Sequence, residues 1–328
     1  MANISAAASW QSEDTNTRGI AHLVVGLSLF TIQDVTIKLL SDELALLQIL
    51  FLRSLVALVP ICWLVHREGG WRGFHTRHPV LNAVRGCLIV TCYSSFYMAL
   101  AVLPLADAMT LFYTNPLFVT ALSVPILGEI VGPRRWLALL VGFMGVLVVV
   151  QPGATEMEPA MILGIFSALA YSATCLLTRH MATSEGGAGM SFHTTIFMIV
   201  VSGAAGLLFG DGSFDLIDHP SAAFMLRAWP MPDAAQWMLI LVIGLIAGVG
   251  FYCLSQAYRL GRASVVAPFE YSSLPLAVLW GWVFWASIPT WTTILGSALI
   301  VGSGLYIIRR EMVVGRKLVT RRGLRRQF

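Results

Sequence analysis

The sequence predicts an all-α membrane protein of ten transmembrane helices, arranged as two inverted five-helix repeats. Three observations predict it. Of the 328 residues, 57% are apolar and only 12% are charged, when a soluble domain needs about 25% charged residues to clothe its surface. Apolar runs long enough to cross about 30 Å of hydrocarbon follow one another from residue 20 to residue 308. Finally, a pattern of prolines and glycines recurs after about 158 residues. Each half then holds five spans, and an odd number forces the second copy to insert upside down relative to the first.

The spans fall at 20–40, 45–65, 80–101, 104–127, 136–151, 160–180, 190–210, 235–258, 263–285 and 291–308. Their apolar runs are continuous rather than alternating, which argues against a transmembrane β-barrel. The chain divides into an N-terminal tail (1–17), a first repeat (18–153), a second repeat (160–308) and a basic tail (309–328). The first segment holds Glu13 and Asp14 but no basic residue and no apolar core, so span 1 is expected to be retained rather than cleaved as a signal peptide. Cys62, Cys87, Cys92, Cys175 and Cys253 all fall inside spans without metal or redox spacing and read as small buried side chains.

Orientation follows from the basic residues, which collect in cytoplasmic loops. Of 21 Lys and Arg, seventeen lie in the N-terminal segment, the even-numbered connections and the C-terminal tail. Lys38, Arg53 and Arg85 lie within spans, and Arg227 alone falls in an odd-numbered connection. Both termini are therefore expected in the cytoplasm and the chain in the inner membrane. Trp63, Trp136, Trp237, Trp285 and Trp291 stand at span ends, as aromatic belts do. The tail from Arg309 carries eight basic residues against Glu311, a composition that favours contact with anionic lipids.

The repeat also locates a candidate site. Leu105 to Pro116 and Arg262 to Pro275 each open a proline-interrupted span that a glycine-bearing span follows. Proline removes a backbone donor and frees a carbonyl, which only a cavity, a solute or a neighbouring side chain satisfies within a bilayer. Spans 4 (Pro104, Pro116, Pro125) and 9 (Pro268, Pro275) are thus expected to line the substrate cavity near the midplane.

Six ionisable residues lie inside spans, three acidic and three basic: Asp34, Lys38, Arg53, Arg85, Asp107 and Glu270. A lone charge at mid-bilayer costs at least about 2.5–3.5 kcal/mol, so pairing is expected. Depths estimated from the helical rise suggest an outer pair Lys38–Asp107, a middle pair Asp34–Arg53 and an inner pair Arg85–Glu270. Asp34 and Lys38, four apart on one helix, offer an alternative pair. Glu270, beside Pro268 and Pro275, is also a candidate carrier of a coupling proton.

Polar residues recur at helical spacing on apolar spans: Asp107, Thr110 and Thr114 on span 4 (with Asn115 next to them a further candidate), Tyr171 on span 6, Tyr252 and Gln256 on span 8, and Tyr93 and Tyr97 on span 3. Such a stripe faces a cavity or a neighbouring helix. Helix packing is expected for the small hydroxyls and cavity lining for the tyrosines, Gln256 and Tyr271. An aromatic wall of Tyr93, Tyr97, Tyr113, Tyr252 and Tyr271 would suit a planar solute. Gly206/Gly210 and Gly244/Gly248 have the spacing of close helix contacts. No P-loop, metalloprotease helix or nucleophile elbow occurs, and the His66, His75 and His78 loop reads as interfacial rather than metal-binding.

Several stretches together resemble the EamA-type transporters of the drug/metabolite transporter superfamily, across nearly the whole chain. They are Gln33-Asp-Val-Thr-Ile-Lys38, Phe51-Leu-Arg53, Val84-Arg-Gly86, Leu103-Pro-Leu-Ala-Asp107, Asn115-Pro116, Leu127-Gly-Glu129, Arg135-Trp136 and Val141-Gly-Phe-Met-Gly145. The second half departs from the pattern: Trp285-Ala-Ser287 stands where many members repeat the acidic residue of Gly128-Glu129. The resemblance implies two inverted five-helix bundles around a central cavity and ATP-independent solute transport. The Asp34, Lys38 and Arg53 patterns look similar to the branch of S-adenosylmethionine and riboflavin transporters. Expected partners are a small-molecule solute, the bilayer and protons as a candidate coupling ion, with no cofactor, metal or nucleic acid. The alternative classes are a non-transporting receptor or scaffold and a membrane-embedded enzyme, the latter disfavoured because no nucleophile–base or metal constellation is present.

Overall fold

A computed structural model describes residues 2–127, 132–152, 158–181, 185–213, 219–260 and 267–324. The Leu127-Gly-Glu129 step beyond Leu127, the first residues of span 9 (263–266) and the acidic connections at 153–157 and 214–218 lie outside these residues. So do the side chains of 1–16 and 310–324.

The described residues form helices only: α1 (Ala2–Leu40), α2 (Leu46–Gly69), α3 (Pro79–Val102), α4 (Leu105–Phe112), α5 (Asn115–Leu127), α6 (Pro133–Val150), α7 (Ala160–Met181), α8 (Gly187–Phe209), α9 (Pro220–Leu226), α10 (Ala234–Leu260), α11 (Ser273–Trp285) and α12 (Trp291–Leu324). Short 3₁₀ segments occupy Gly70–Phe74 and Ala267–Ser272. Among the described residues, seven helices are long and apolar enough to cross a membrane, and Trp291–Ile307 forms a shorter apolar stretch.

Span 4 is split at Tyr113–Thr114, between α4 and α5, where Pro116 cannot donate to the helix ladder. Span 9 is split likewise, a 3₁₀ segment passing into α11 at Ser273, two residues before Pro275. Two boundaries run further than expected. α1 starts at Ala2 and α12 continues to Leu324, since no proline interrupts either helix. The short α9, outside the spans, was not expected either; Pro220 stands at its first turn and His219 caps it by accepting from the Ser221 N–H.

The chief contacts are α1 with α10, α3 with α7, α2 with α8 and α10, α3 with α8, α6 with α12, and α4 with α11. This set is nearly unchanged when α1, α2, α3, α4 and α6 are exchanged in order with α7, α8, α10, α11 and α12. Glycines allow the closest approaches. A Cβ on Gly145 would lie 2.8 Å from the Gly296 carbonyl oxygen, and one on Gly296 would lie 2.8 Å from that of Gly145. Gly244 and Gly248 of α10 press on Val56, Pro60 and the carbonyls of Arg53 and Ala57 in α2, the close contact their spacing predicts. Gly206 and Gly210 instead sit against the Trp229 ring.

The outer wall is apolar. Leu137, Leu140 and Met144 of α6 project outward along one face, with Trp63 and Trp291 exposed at helix ends. Water would not tolerate such a patch, whereas lipid does.

Candidate functional site

Where the two split spans meet, the helices enclose a cavity of about 580 Å³, its open mouth included. Its wall comes from six elements: Leu27, Phe30, Thr31 and Asp34 of α1; Cys92, Tyr93 and Phe96 of α3; Met109, Phe112 and Tyr113 at α4; Tyr171 of α7; Leu254 of α10; and Ser273 of α11. Aromatic rings pack at a tilt around it: Phe96–Phe112 at 5.3 Å, Phe112–Tyr171 at 5.2 Å and Tyr93–Tyr97 at 5.6 Å between centroids. At the junction of the split spans the Tyr113 and Tyr271 rings lie 5.7 Å apart, and the Tyr113 hydroxyl meets that of Ser273. Tyr271 follows Tyr113 by 158 positions, the interval at which the sequence repeats.

Asp34 is the acidic group of this wall. Its Oδ1 accepts from the Tyr97 hydroxyl at 2.9 Å, and that hydroxyl accepts from Gln33 Nε2 at 2.8 Å. Behind Tyr93 lies Arg53, its guanidinium carbon 4.7 Å from the ring centroid. Arg53 is 0% exposed, and none of its three side-chain nitrogens meets a hydrogen-bond acceptor. The expected Asp34–Arg53 ion pair is therefore corrected. The two stand in one buried cluster, but tyrosines take both partners' places.

The other two pairs are also corrected. Lys38 donates to the carbonyls of Leu100 and Leu103, each at 2.6 Å, and lies over the Trp285 ring. These carbonyls at the end of α3 lack helical donors, and the negative end of a helix attracts a cation. Asp107 instead accepts from Thr293 Oγ1 of α12 at 2.6 Å, and Lys38 does not pair with Asp34. Arg85 donates to Thr178 Oγ1, the Met190 carbonyl and Thr194 Oγ1 at 2.8, 2.9 and 2.5 Å. Neutral oxygens of α7 and α8 thus hold it, not Glu270.

Of the remaining predicted residues, Thr110 and Thr114 donate back to the carbonyls of Ala106 and Leu111, the packing role expected for small hydroxyls. Asn115, at the start of α5, lends its carbonyl to Ser172 of α7 at 2.9 Å. Glu270 is buried in the 3₁₀ segment, its backbone carbonyl accepting from Ser273 Oγ at 2.9 Å. Tyr252 and Gln256 do not line the cavity. Gln256 Nε2 donates to the Tyr252 hydroxyl at 2.9 Å and to Glu68 Oε1, and Glu68 Oε2 accepts from the Ala188 N–H at 3.2 Å. Sequence reasoning missed Glu68, which is hidden among basic residues at the end of α2. It also missed Phe30, Phe96, Met109 and Phe112, since an apolar residue facing a cavity has the same local pattern as one facing lipid.

At the same end of the bundle a second carboxylate, Glu185, accepts from Thr76, from Asn82 Nδ2 at 3.0 Å and from the N–H groups of Arg77 and His78 at 3.1 and 3.4 Å. Burial opposes its ionisation, yet these donors outweigh burial and hold the carboxyl below its ordinary value. Glu68, Glu185, Arg72, Arg77 and Arg259 surround a polar pocket of about 870 Å³ there, open to the outside.

Comparison with known proteins identifies the architecture. The EamA-like transporter family matches residues 17–151 and 158–309. This chain belongs to that family. The EamA-type chain is 30% identical over 248 residues to a riboflavin transporter of Rhizobium johnstonii, covering 76% of each sequence. It is 24% identical over 300 residues to an S-adenosylmethionine uptake transporter of Rickettsia bellii, covering 90% of this chain and 95% of the relative. One solved crystal structure superposes with a TM-score of 0.61 over 93% of this chain and 99% of its own, at 17% identity, a likeness of fold alone. The EamA-type chain is thus a multi-pass membrane transporter of the drug/metabolite superfamily, rather than an enzyme.

Proposed function

We propose that this EamA-type protein is an ATP-independent carrier of a planar, ring-bearing polar metabolite, with riboflavin the leading solute, working by alternating access across the inner membrane. The observation that carries this reading is the aromatic cavity at the junction of the two split spans, with Asp34 in its wall. Aromatic faces bind flat rings by offset stacking or edge contacts, while a few placed polar groups orient them. Three relatives are named riboflavin transporters, at 30%, 27% and 26% identity. S-adenosylmethionine, the solute in another relative's name, also carries a flat purine and is the second candidate.

The transport reading rests on ten spans in two inverted repeats, 18–153 and 160–308, with both ends cytoplasmic. Supporting it are the exchange of helix contacts between halves and the paired tyrosines Tyr113 and Tyr271. In this arrangement the halves rock about the shared site. Asp34 and Glu270 are the buried acids through which a proton would couple to the solute.

Reconstitution in proteoliposomes tests the proposal. Radiolabelled riboflavin should equilibrate or accumulate without ATP, faster than in protein-free vesicles, and an inward-acid pH gradient should change the steady state if protons are coupled. Tyr93→Ala and Phe112→Ala should each weaken solute affinity about tenfold, equivalent to about 1.4 kcal/mol, while Tyr252→Ala should leave affinity unchanged. A panel in which only short aliphatic amino acids stabilise or cross would overturn the planar-solute reading.

A further inference from the structure

Arg53 is the anomaly of the core. It is 0% exposed, sits within an apolar span, and its guanidinium offers five N–H donors, none of which makes a hydrogen bond, although the Asp34 carboxyl acts on it through charge. Leaving a buried charge without hydrogen bonds is among the most unfavourable arrangements a protein can hold. The other buried span cation, Arg85, has three oxygen acceptors, so the fold is able to satisfy an arginine when the arginine is structural. Arg53 lies over the face of Tyr93, at 4.7 Å. Tyr93 belongs to the cavity wall, so the guanidinium packs against a ring that lines the solute space. Asp34, in the same wall, is committed to Tyr97.

We infer that Arg53 is the specificity-determining donor of the site, engaging a paired-acceptor edge of the solute (a ring carbonyl beside a ring-nitrogen acceptor, or a carboxylate) once the solute displaces the Tyr93 ring. This rests on the carrier reading above and adds the chemistry the solute must bear. The planar guanidinium fork matches such an edge bidentately, which an ammonium does not. The arrangement holds an unsatisfied donor ready in the apo protein, an instance of local stability given up for function.

The test uses the purified full chain in detergent, as wild type, Arg53→Met, Arg53→Lys and Tyr252→Phe. Melting is measured alone and with riboflavin (ring carbonyl beside a ring nitrogen), phenazine (flat ring without oxygens) and nicotinate (carboxylate edge). Apo Arg53→Met should melt at or above the wild-type temperature, because it removes a buried charge whose donors make no hydrogen bond. Its response to the oxygen-bearing probe should be lost, and that of Arg53→Lys weakened at least tenfold, with Tyr252→Phe, outside the cavity, responding as wild type. Riboflavin and nicotinate identify which oxygen source is read, and an equal response to phenazine would overturn the inference. So would an Arg53→Met melt well below both wild type and Arg53→Lys, the mark of a structural arginine. If no flat probe stabilises the wild type, the planar-solute reading fails separately. The inference is then judged on a panel of aliphatic mono- and dicarboxylates, where identical responses of wild type and Arg53→Met would end it.

Discussion

Among individual residues, Glu185 shows how one carboxylate can hold two segments together. It gathers a hydroxyl, a side-chain amide and two backbone N–H groups from the start of α3 and the segment before it. Glu185→Ala should lower stability by about 1–2 kcal/mol, because it strands partly buried donors, and detergent melting curves check it. The pH dependence has a definite sign. The carboxyl is depressed below its ordinary value of 4.5, so its stabilisation is complete above that pH and is lost as pH falls through the lower folded value. Wild type and Glu185→Ala should therefore differ most near neutrality and converge on acidification below pH 4.5. The intramembrane charges were legible in sequence because an ionisable residue in an apolar run is conspicuous. Their partners were not. Lys38 chose the carbonyls ending α3, and Arg85 chose threonine hydroxyls and a carbonyl. Backbone acceptors are the same in every sequence, so they carry no residue-level signal, and matching charges by depth overlooks them.

Between helices, close approach is decided by where a Cβ can fit. Gly145 and Gly296 face each other across α6 and α12 with backbone oxygen 2.8 Å from each missing Cβ, while Gly302, on the same α12, has nothing within 4 Å. Gly145→Ala should therefore push the two helices apart and cost about 1–3 kcal/mol, as overpacking does. Gly302→Ala should stabilise by roughly 0.5–1 kcal/mol through helix propensity. Melting temperatures of the two variants check the contrast, and equal effects would mean the crossing is looser than described. The same local chemistry made the split spans legible: Pro116 and Pro275 mark breaks that occur within three residues of each. The long helices were legible from apolar length, with boundaries within a few residues except where α1 and α12 extend past the apolar run. The aromatic lining was only half legible. Tyrosines stand out in an apolar helix by their hydroxyls, whereas Phe30, Phe96 and Phe112 are marked as cavity residues only by tertiary neighbours.

Over the whole molecule, alternating access requires that one end of the bundle open while the other stays tied. At the outer end proposed here, Arg227 donates to the Ser41 carbonyl at 3.0 Å and Gln48 to that of Pro230 at 2.5 Å, linking the two halves. At the opposite end Glu68 of α2 joins the start of α8 and Gln256 of α10, also across the halves. Its ion pair with Arg259, 3.8 Å apart and partly exposed, adds little by itself. The hydrogen bond to Ala188 matters more, because it satisfies a helix N-terminal donor with a negative group. Removing Glu68 should therefore loosen the proposed cytoplasmic end and leave the outer end tied, shifting population toward a cytoplasm-open form. Cys92 reports on this, being a buried free thiol in the cavity wall. In a background retaining Cys92 alone, Glu68→Ala should raise the rate at which a membrane-impermeant maleimide labels Cys92 from the cytoplasmic side, several-fold over the parent. Labelling from the outside should not rise, and saturating solute should slow the labelling. An equal rise from both sides would indicate general loosening, and no rise at all would mean that Glu68 is not what holds this end shut.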